Sequence, residues 1–156
     1  MNQAKVNVED RKCVAAANQK AKEAGCFAGA IELEDGTIIT GRTSDFMGSC
    51  SAILINALKY LANIDDDTLL ISPSAFGPIQ HLKTEYLGSI NPRLHSDEIL
   101  IALSLSAVDN NEAKLALQQL PKLNGTQAHI TSSIGPMDAK VFSSLGIQIT
   151  YNAKKQ

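Results

Sequence analysis

The sequence predicts a single α/β domain in which a mixed five-stranded sheet is packed between helices, a three-layer α-β-α arrangement. The dipeptide Asp35-Gly36 lies between two β-prone runs, which is typical of an antiparallel hairpin. Further along the chain, strand-like and helix-like segments alternate, which predicts parallel strands because each crossover carries a helix. No repeat or linker interrupts the 156 residues, so we expect one domain over 1–156 with a short polar tail over 152–156.

Composition supports a folded domain and excludes several classes of protein. Apolar residues make up 44% of the chain and charged residues 19%, which is typical of a globular domain and not of a disordered one. The longest apolar stretch is too short, and too often interrupted by polar residues, to span a bilayer. A net charge of −2 and an aromatic content of 4% argue against nucleic-acid binding. We therefore expect neither a membrane nor a nucleic acid as a partner.

The cysteines indicate the compartment. There are three, Cys13, Cys26 and Cys50, and none forms a CxxC spacing. The N-terminus has no apolar signal segment, so we expect a cytoplasmic protein with reduced thiols. Free cysteines are usually buried, and these thiols are therefore expected to fill the core.

The first half of the chain predicts a helix, the hairpin and a buried helix. A run without glycine or proline predicts the first helix, which ends at Gly25. The helix after the hairpin is apolar on nearly every side, as expected for a helix inside a domain. The predicted segments are 8–24 (helix), 27–34 and 37–42 (strands) and 51–64 (helix).

The second half alternates between the two types of element. A short, continuous apolar run predicts a central strand covered on both faces. Pro78 and Ser96 mark helix starts, and Gly88 and Gly146 mark helix ends, with a loop over 88–95. The predicted segments are 68–72 (strand), 78–87, 96–108 and 110–120 (helices), 128–131 (strand), 136–145 (helix) and 147–151 (strand).

Two helices are unusually apolar, over 53–61 and over 99–108. Two interpretations stay open. Both helices are buried within the domain, or one of them faces a partner.

The order helix, hairpin, buried helix, strand, helix resembles the opening of the cytidine-deaminase-like fold. Zinc deaminases place a His or Cys two residues before a Glu, followed later by Pro-Cys-x-x-Cys. The segment 72–77 (SPSAFG) is similar to the second motif, but Ser74 and Gly77 stand where the thiolates would be. Cys50 is the one possible ligand of the first motif, and Ala52 stands at the Glu position. Zinc-dependent deamination is therefore not expected, and neither a metal nor a cofactor is predicted.

A closer resemblance covers most of the chain. Several segments, in order, are similar to one large uncharacterised bacterial family, known as a conserved domain of unknown function whose members are much longer. The resemblance implies either an excised C-terminal domain or a stand-alone relative that lacks the larger N-terminal portion. It implies no reaction and no catalytic residue. The matching segments are 6–10, 32–41, 51–59, 82–88, 91–98, 100–104 and 118–123.

Candidate ligand-binding residues lie in the turns and loops. Ser74 follows a predicted strand at its carboxyl end, where open α/β sheets bind ligands, although a turn or capping role is the alternative. The run Thr131, Ser132 and Ser133 lies between a strand and a helix start, where backbone amides can hold an anion or simply cap the helix.

Two arginines and a histidine complete the set. Arg93 and His95 lie in the long loop 88–95, and an arginine there either pairs with a phosphate or carboxylate or stays a solvated charge. Arg42 follows the hairpin and is expected to face the same region as Ser74. None of these residues has a base placed by spacing to activate a nucleophile.

Two functions are therefore predicted as alternatives. The first is a metal-free, deaminase-like module for ligand binding or assembly, whose partner is a small molecule, a second copy or a separate N-terminal portion. The second is a metal-independent enzyme acting on a small phosphorylated or nucleotide-like substrate. Its site would be formed by Ser74, Arg93, His95 and the turn over 131–133.

Overall fold

The computed structural model describes residues 12–152. The start of the first predicted helix, 8–11, and the end of the predicted tail, 153–156, lie outside these residues. The helices are α1 (Lys12–Ala24), α2 (Ser49–Leu61), α3 (Pro73–His81), α4 (Ser96–Ser106), α5 (Asn111–Leu117) and α6 (Pro136–Leu145). The strands are β1 (Ala28–Glu32), β2 (Ile38–Arg42), β3 (Gln127–Ile130) and β4 (Gln148–Tyr151).

The sheet is mixed, and its order is β2-β1-β3-β4. Strand β1 is antiparallel to both β2 and β3, whereas β3 and β4 are parallel. The antiparallel hairpin and the parallel pair of the second half are thus confirmed. Within residues 12–152 the sheet has four strands, so the prediction of five is wrong.

The strand that fails to form is the one predicted over 68–72, which has no ladder partner and is irregular. Leu70 and Ile71 are buried in the main core, so the apolar run does reflect burial. The carbonyl oxygen of Leu70 accepts a hydrogen bond from the Asn110 side chain at 3.5 Å. A short apolar run does not by itself distinguish a central strand from a buried connection.

The hairpin turn is not the two-residue type I′ turn that an Asp-Gly pair favours. The amide of Gly36 donates to the carbonyl oxygen of Leu33, and the amide of Leu33 donates to that of Thr37. Gly36 alone is left-handed here, with φ of +89°, so the loop is a three-residue turn that ends on a glycine bulge. The Asp35 carboxylate accepts from the Thr37 amide and the Tyr60 hydroxyl, which lowers the pKa of Asp35.

Helix α3 starts earlier than predicted, at Pro73 instead of Pro78. The Ser72 side chain accepts a hydrogen bond from the amide of Ser74, and Pro73 occupies the first turn. Pro78 therefore lies inside the helix. A π-helical turn, Leu82–Tyr86, continues the segment directly.

Helices cover both faces of the sheet. Alternate residues of β1 point to opposite sides, where Ala30 joins a small cluster with α1 and Ile31 joins the main core. Helices α2 and α6 pack on that main-core face, and α4 and α5 form a further layer on α2 and α6. None of the helices within residues 12–152 has the length and apolar character needed to cross a bilayer.

Helix α2 approaches β2 unusually closely at Gly41. A Cβ atom built on Gly41 would lie 2.9 Å from the backbone carbon of Ala52 and 2.9 Å from the Ile53 nitrogen. Glycine is therefore required sterically, and the contact fixes the start of α2 at the end of β2.

Candidate functional site

A cleft opens where three strands end. Since β1 is antiparallel to β2 and β3, and β3 is parallel to β4, the carboxyl ends of β2, β3 and β4 meet at one edge of the sheet. Open α/β sheets bind ligands at this edge. The cavity here has a volume of about 380 Å³. Its walls come from the starts of α2 and α6, the loop before α4 and the turn after β3.

Two helices begin at the cleft with glycine. Gly48 precedes α2 and Gly135 precedes α6, and neither helix start has a side-chain cap. The first backbone N–H groups of a helix have no partner within the helix and carry its positive end. No side chain caps either start, and the positive helix ends favour a negatively charged group.

The start of α4, the third helix that begins at the cleft, is capped by a carboxylate. Asp138 Oδ1 accepts hydrogen bonds from the Ser96 amide at 2.8 Å and from the Ser96 hydroxyl at 2.6 Å. Asp138 belongs to the first turn of α6, so it caps α4 from the neighbouring helix. The positive end of α4 is thus already neutralised.

The same carboxylate also holds the thiol of Cys50. Cys50 is buried at the start of α2 and hydrogen-bonds to Asp138. Burial, together with the negative charge of Asp138, raises the pKa of the Cys50 thiol well above its ordinary value of 9.0. The thiol is therefore protonated at neutral pH, which disfavours a nucleophilic role.

Arg93 supplies the positive charge of the cleft. Its Nε donates to the Ser44 carbonyl oxygen at 2.6 Å, and its backbone amide donates to Asn91 Oδ1 at 3.0 Å. Lys83 Nζ donates to the carbonyl oxygen of Arg93. The four terminal N–H groups of the Arg93 guanidinium have no partner among residues 12–152, although the Arg93 side chain is half-buried and lines the cavity.

His95 lies at the start of α4, with its side chain 42% exposed. Its backbone amide donates to Glu98 Oε1 at 2.8 Å, and its Nδ1 is 3.6 Å from the same oxygen. Asp97 lies beside this pair, and the ligand atoms of the three side chains are within 4.8 Å of one another. Glu98 Oε1 also accepts from Lys83 Nζ at 2.8 Å, so this oxygen already has two donors.

A second, wider cavity of about 810 Å³ adjoins the cleft. Phe27, Thr43 and Arg93 line both spaces, so the two are continuous around these residues. The second cavity also contains Lys22 and Thr131. Thr131 Oγ1 accepts from the Ala28 amide at 3.0 Å, which ties the turn after β3 to the start of β1.

The structure brings together most of the residues that the sequence singled out. Arg93, His95, Ser132 and Ser133 line the cleft, and Thr131 lines the adjoining cavity. The sequence analysis did not identify Asp138. An acidic residue in the first turn of a helix that begins with Gly-Pro was the available signal, but it indicates capping of its own helix rather than of α4.

The two other candidate residues lie outside the lining of these cavities. Ser74 was placed by the strand predicted over 68–72, which does not form. It is instead in the first turn of α3, with its Oγ 2.8 Å from that of Ser72. Arg42, at the end of β2, is exposed, and its side chain reaches only the carbonyl oxygen of Thr43 at 3.5 Å.

The residues at the cleft do not fit a zinc deaminase centre. Such a centre needs three His or Cys ligands and a glutamate that shuttles the proton. The first turns of α2 and α6, which meet at the cleft, offer Cys50 and Asp138. One thiol and one carboxylate do not make that ligand set, and neither first turn contains a glutamate.

Comparison with known proteins identifies the family. Residues 9–156 match the model of "Domain of unknown function DUF1846, C-terminal". The chain is 48% identical to a UPF0371 protein of Corynebacterium urealyticum, over 99% of this chain and 31% of that protein. It is 49% identical to one of Corynebacterium efficiens over 100% of this chain and 32% of that protein, and 47% identical to one of Streptococcus uberis over 97% and 31%. It thus spans less than a third of the length of these relatives, and it belongs to the family of the C-terminal DUF1846 domain.

Proposed function

We propose that this domain is a metal-free ligand-binding module whose cleft takes the phosphate group of a small molecule. The guanidinium of Arg93 carries the proposal. Four of its five N–H donors are unused within residues 12–152, although the side chain is half-buried at the carboxyl ends of the strands. A fork of free donors in this position suits a phosphate, which accepts two parallel hydrogen bonds.

The surroundings of Arg93 support an anion as the ligand. The uncapped starts of α2 and α6 add backbone donors on the opposite walls. Ser132 and Ser133 add hydroxyl groups from the turn after β3. The charge of Asp138 is directed at the start of α4 through Ser96, so it opposes the bound anion less than a free carboxylate would.

Binding fits the cleft better than turnover does. The Cys50 thiol is held protonated, and the His95 ring is more than a third exposed beside Glu98. A metal-independent enzyme acting on a phosphorylated or nucleotide-like substrate is the second candidate. The imidazole of His95 lines the cleft, and imidazole is the side chain most often used for proton transfer in catalysis, which favours this candidate over a deaminase.

The proposal includes a cytidine-deaminase-like frame. The order of helix, hairpin and buried helix supports it. The segment 72–77, which resembles the second zinc motif, starts α3 and lies outside the cleft. In this chain, Arg93 and the backbone amides at the starts of α2 and α6 would hold a phosphate at the cleft.

Calorimetric titration and thermal shift, with inorganic phosphate, ribose 5-phosphate and adenosine monophosphate as probes, test the proposal. We expect at least one probe to raise the melting temperature, and Arg93→Ala to weaken its binding about tenfold or more. Arg42→Ala is the matched control, because this arginine is outside the cleft. The affinity of this variant for the probe should equal that of the wild type. Equal affinities for the two variants would refute the proposal. Conversion of a bound probe to product, abolished by His95→Ala, would favour the enzyme.

A further inference from the structure

Beyond its first turn, helix α4 contains only apolar residues and serines, yet only one side of it is covered. The stretch over 99–108 contains no charged residue. Ile99, Ala102 and Leu103 are buried against the core. On the opposite side, the exposed fractions are 59% for Ile101, 68% for Leu105 and 83% for Val108, just beyond the helix end. A helix facing water normally carries charged residues on its outer face.

The other very apolar helix has a different environment. Helix α2 has ten of its 13 residues buried. Of the two interpretations left open by the sequence, burial within the domain therefore describes α2 better than α4. The outer face of α4 is the one expected to meet a partner.

Two segments joined to α4 by hydrogen bonds also carry exposed apolar residues. Lys83 of the π-helical turn donates to Glu98 in the first turn of α4, and the exposed residues Tyr86 and Leu87 follow Lys83 by three and four positions. Asn110, which follows α4, donates to the carbonyl oxygen of Leu70, and the exposed Leu69 directly precedes Leu70. We call this surface the α4 band: Leu69, Tyr86, Leu87, Ile101, Leu105 and Val108.

We infer that the α4 band is the surface on which the preceding polypeptide of the longer family members docks. The relatives are about three times as long as this chain, which covers 31–32% of them. The matching family is a C-terminal domain, so the remainder of those proteins precedes it. A partner in the same polypeptide is present at a high effective concentration, which allows an uncharged surface without strong anchors to stay occupied.

The intact relative and the isolated chain provide the direct comparison. Hydroxyl-radical footprinting of the Corynebacterium efficiens protein, which matches the whole chain, is compared with footprinting of this chain alone. We expect the stretch that aligns with 101–108 to be modified several-fold more slowly in the intact protein. Leu115, an exposed leucine on α5 outside the band, is the internal control and should show the same rate in both. Equal rates for the α4 band would overturn the inference.

A charge placed in the band distinguishes the possible occupants. In the intact relative, lysine at the position that aligns with Leu105 should separate the C-terminal domain from the polypeptide that precedes it. The segment that joins the two should then become several-fold more sensitive to protease. Lysine at the position of Leu115 should not. If the isolated chain is a stable dimer that Leu105→Lys converts to monomer, a second copy occupies the band and the inference is wrong. We expect the isolated chain to be monomeric by light scattering.

Discussion

A single carboxylate oxygen of Asp138 accepts two hydrogen bonds from Ser96, one from the backbone amide at 2.8 Å and one from the hydroxyl at 2.6 Å. The two residues lie 42 positions apart, and their contact joins the start of α6 to the start of α4. It sets the shape of the cleft, because both helix starts contribute to its wall.

Removing this carboxylate should destabilise the fold. We expect Asp138→Ala to reduce the free energy of unfolding by about 1–3 kcal/mol, because the capped amide of Ser96 and its hydroxyl lose their acceptor. Urea unfolding followed by circular dichroism measures the change. Asp109→Ala, at an exposed turn, is the control and should stay within about 0.5 kcal/mol of the wild type. A loss of equal size in both variants would contradict the role assigned to Asp138.

The buried thiol of Cys50 should make stability fall at alkaline pH. The pKa of Cys50 is raised in the folded state, so above about pH 9 the unfolded chain releases this proton while the folded chain retains it. The contribution of the buried, neutral thiol to the free energy of unfolding is complete below the pKa of Cys50 in the unfolded chain. It is lost as the pH rises above that value, by up to about 1.4 kcal/mol per pH unit.

Unfolding titrations of the wild type and Cys50→Ala between about pH 8 and 10.5 measure this difference. Tyrosine and lysine titrations occur in both proteins and cancel in the comparison. We expect the wild type to lose stability more steeply than the variant. Parallel curves would show that the Cys50 thiol ionises equally well in the folded chain.

Lys83 should position Arg93. It is buried in the π-helical turn, where Nζ donates to Glu98 Oε1 at 2.8 Å and to the carbonyl oxygen of Arg93. We expect Lys83→Met to lower the free energy of unfolding by about 1–3 kcal/mol, because Glu98 loses its ionic partner. Phosphate affinity should also fall, because the loop that carries Arg93 loses a tether.

The matched control is Lys140→Met, an exposed lysine on α6. It should leave both the unfolding midpoint and the phosphate titration unchanged. If Lys83→Met alters stability but not affinity, the lysine has a structural role and does not position Arg93.

Two glycine substitutions should differ in their effects. Gly41→Ala places a Cβ 2.9 Å from the backbone of α2, so we expect a loss of about 1–3 kcal/mol as the helix is pushed from β2. Gly77→Ala places a Cβ in open space within α3, but Gly77 precedes Pro78, whose ring disfavours helical backbone in a preceding residue that carries a Cβ. We expect this to offset the gain in helix propensity and to leave the free energy of unfolding within about 0.5 kcal/mol of the wild type. Thermal unfolding of the two variants tests the pair. A stabilising Gly41→Ala would mean that α2 lies further from β2 than described.

The hydrogen bonds around Asp35 should be visible by NMR titration. Bonds from Thr37 first, and then from Tyr60, lower the pKa of the Asp35 carboxyl group. We expect Tyr60→Phe to raise this pKa towards its ordinary value, because one donor to the carboxylate is lost. Tyr151→Phe, at the other edge of the sheet, should leave the Asp35 pKa as it is in the wild type. Identical Asp35 titrations in all three proteins would exclude the bond to Tyr60.

Local signals predicted the elements that depend on a few neighbouring residues. The hairpin was predictable from Asp35-Gly36, and α6 was predictable from Pro136 and Gly146, which mark its two ends. The strand over 68–72 was not predictable in this way, because its apolar residues signal burial and not pairing. The expected position of Ser74 depended on that strand, and the structure places Ser74 in the first turn of α3 instead.

The sequence by itself determined the α/β class, the hairpin, the parallel pair β3 and β4, and Arg93 and His95 as candidate residues, because each depends on local spacing or residue chemistry. Only the tertiary structure decided that β3 pairs with β1, about a hundred residues earlier in the chain. That pairing brings the starts of α2, α4 and α6 to one cleft and leaves the outer face of α4 exposed. The physical reason is that strand pairing and helix packing depend on which distant surfaces fit together, and a local pattern carries no information about the partner.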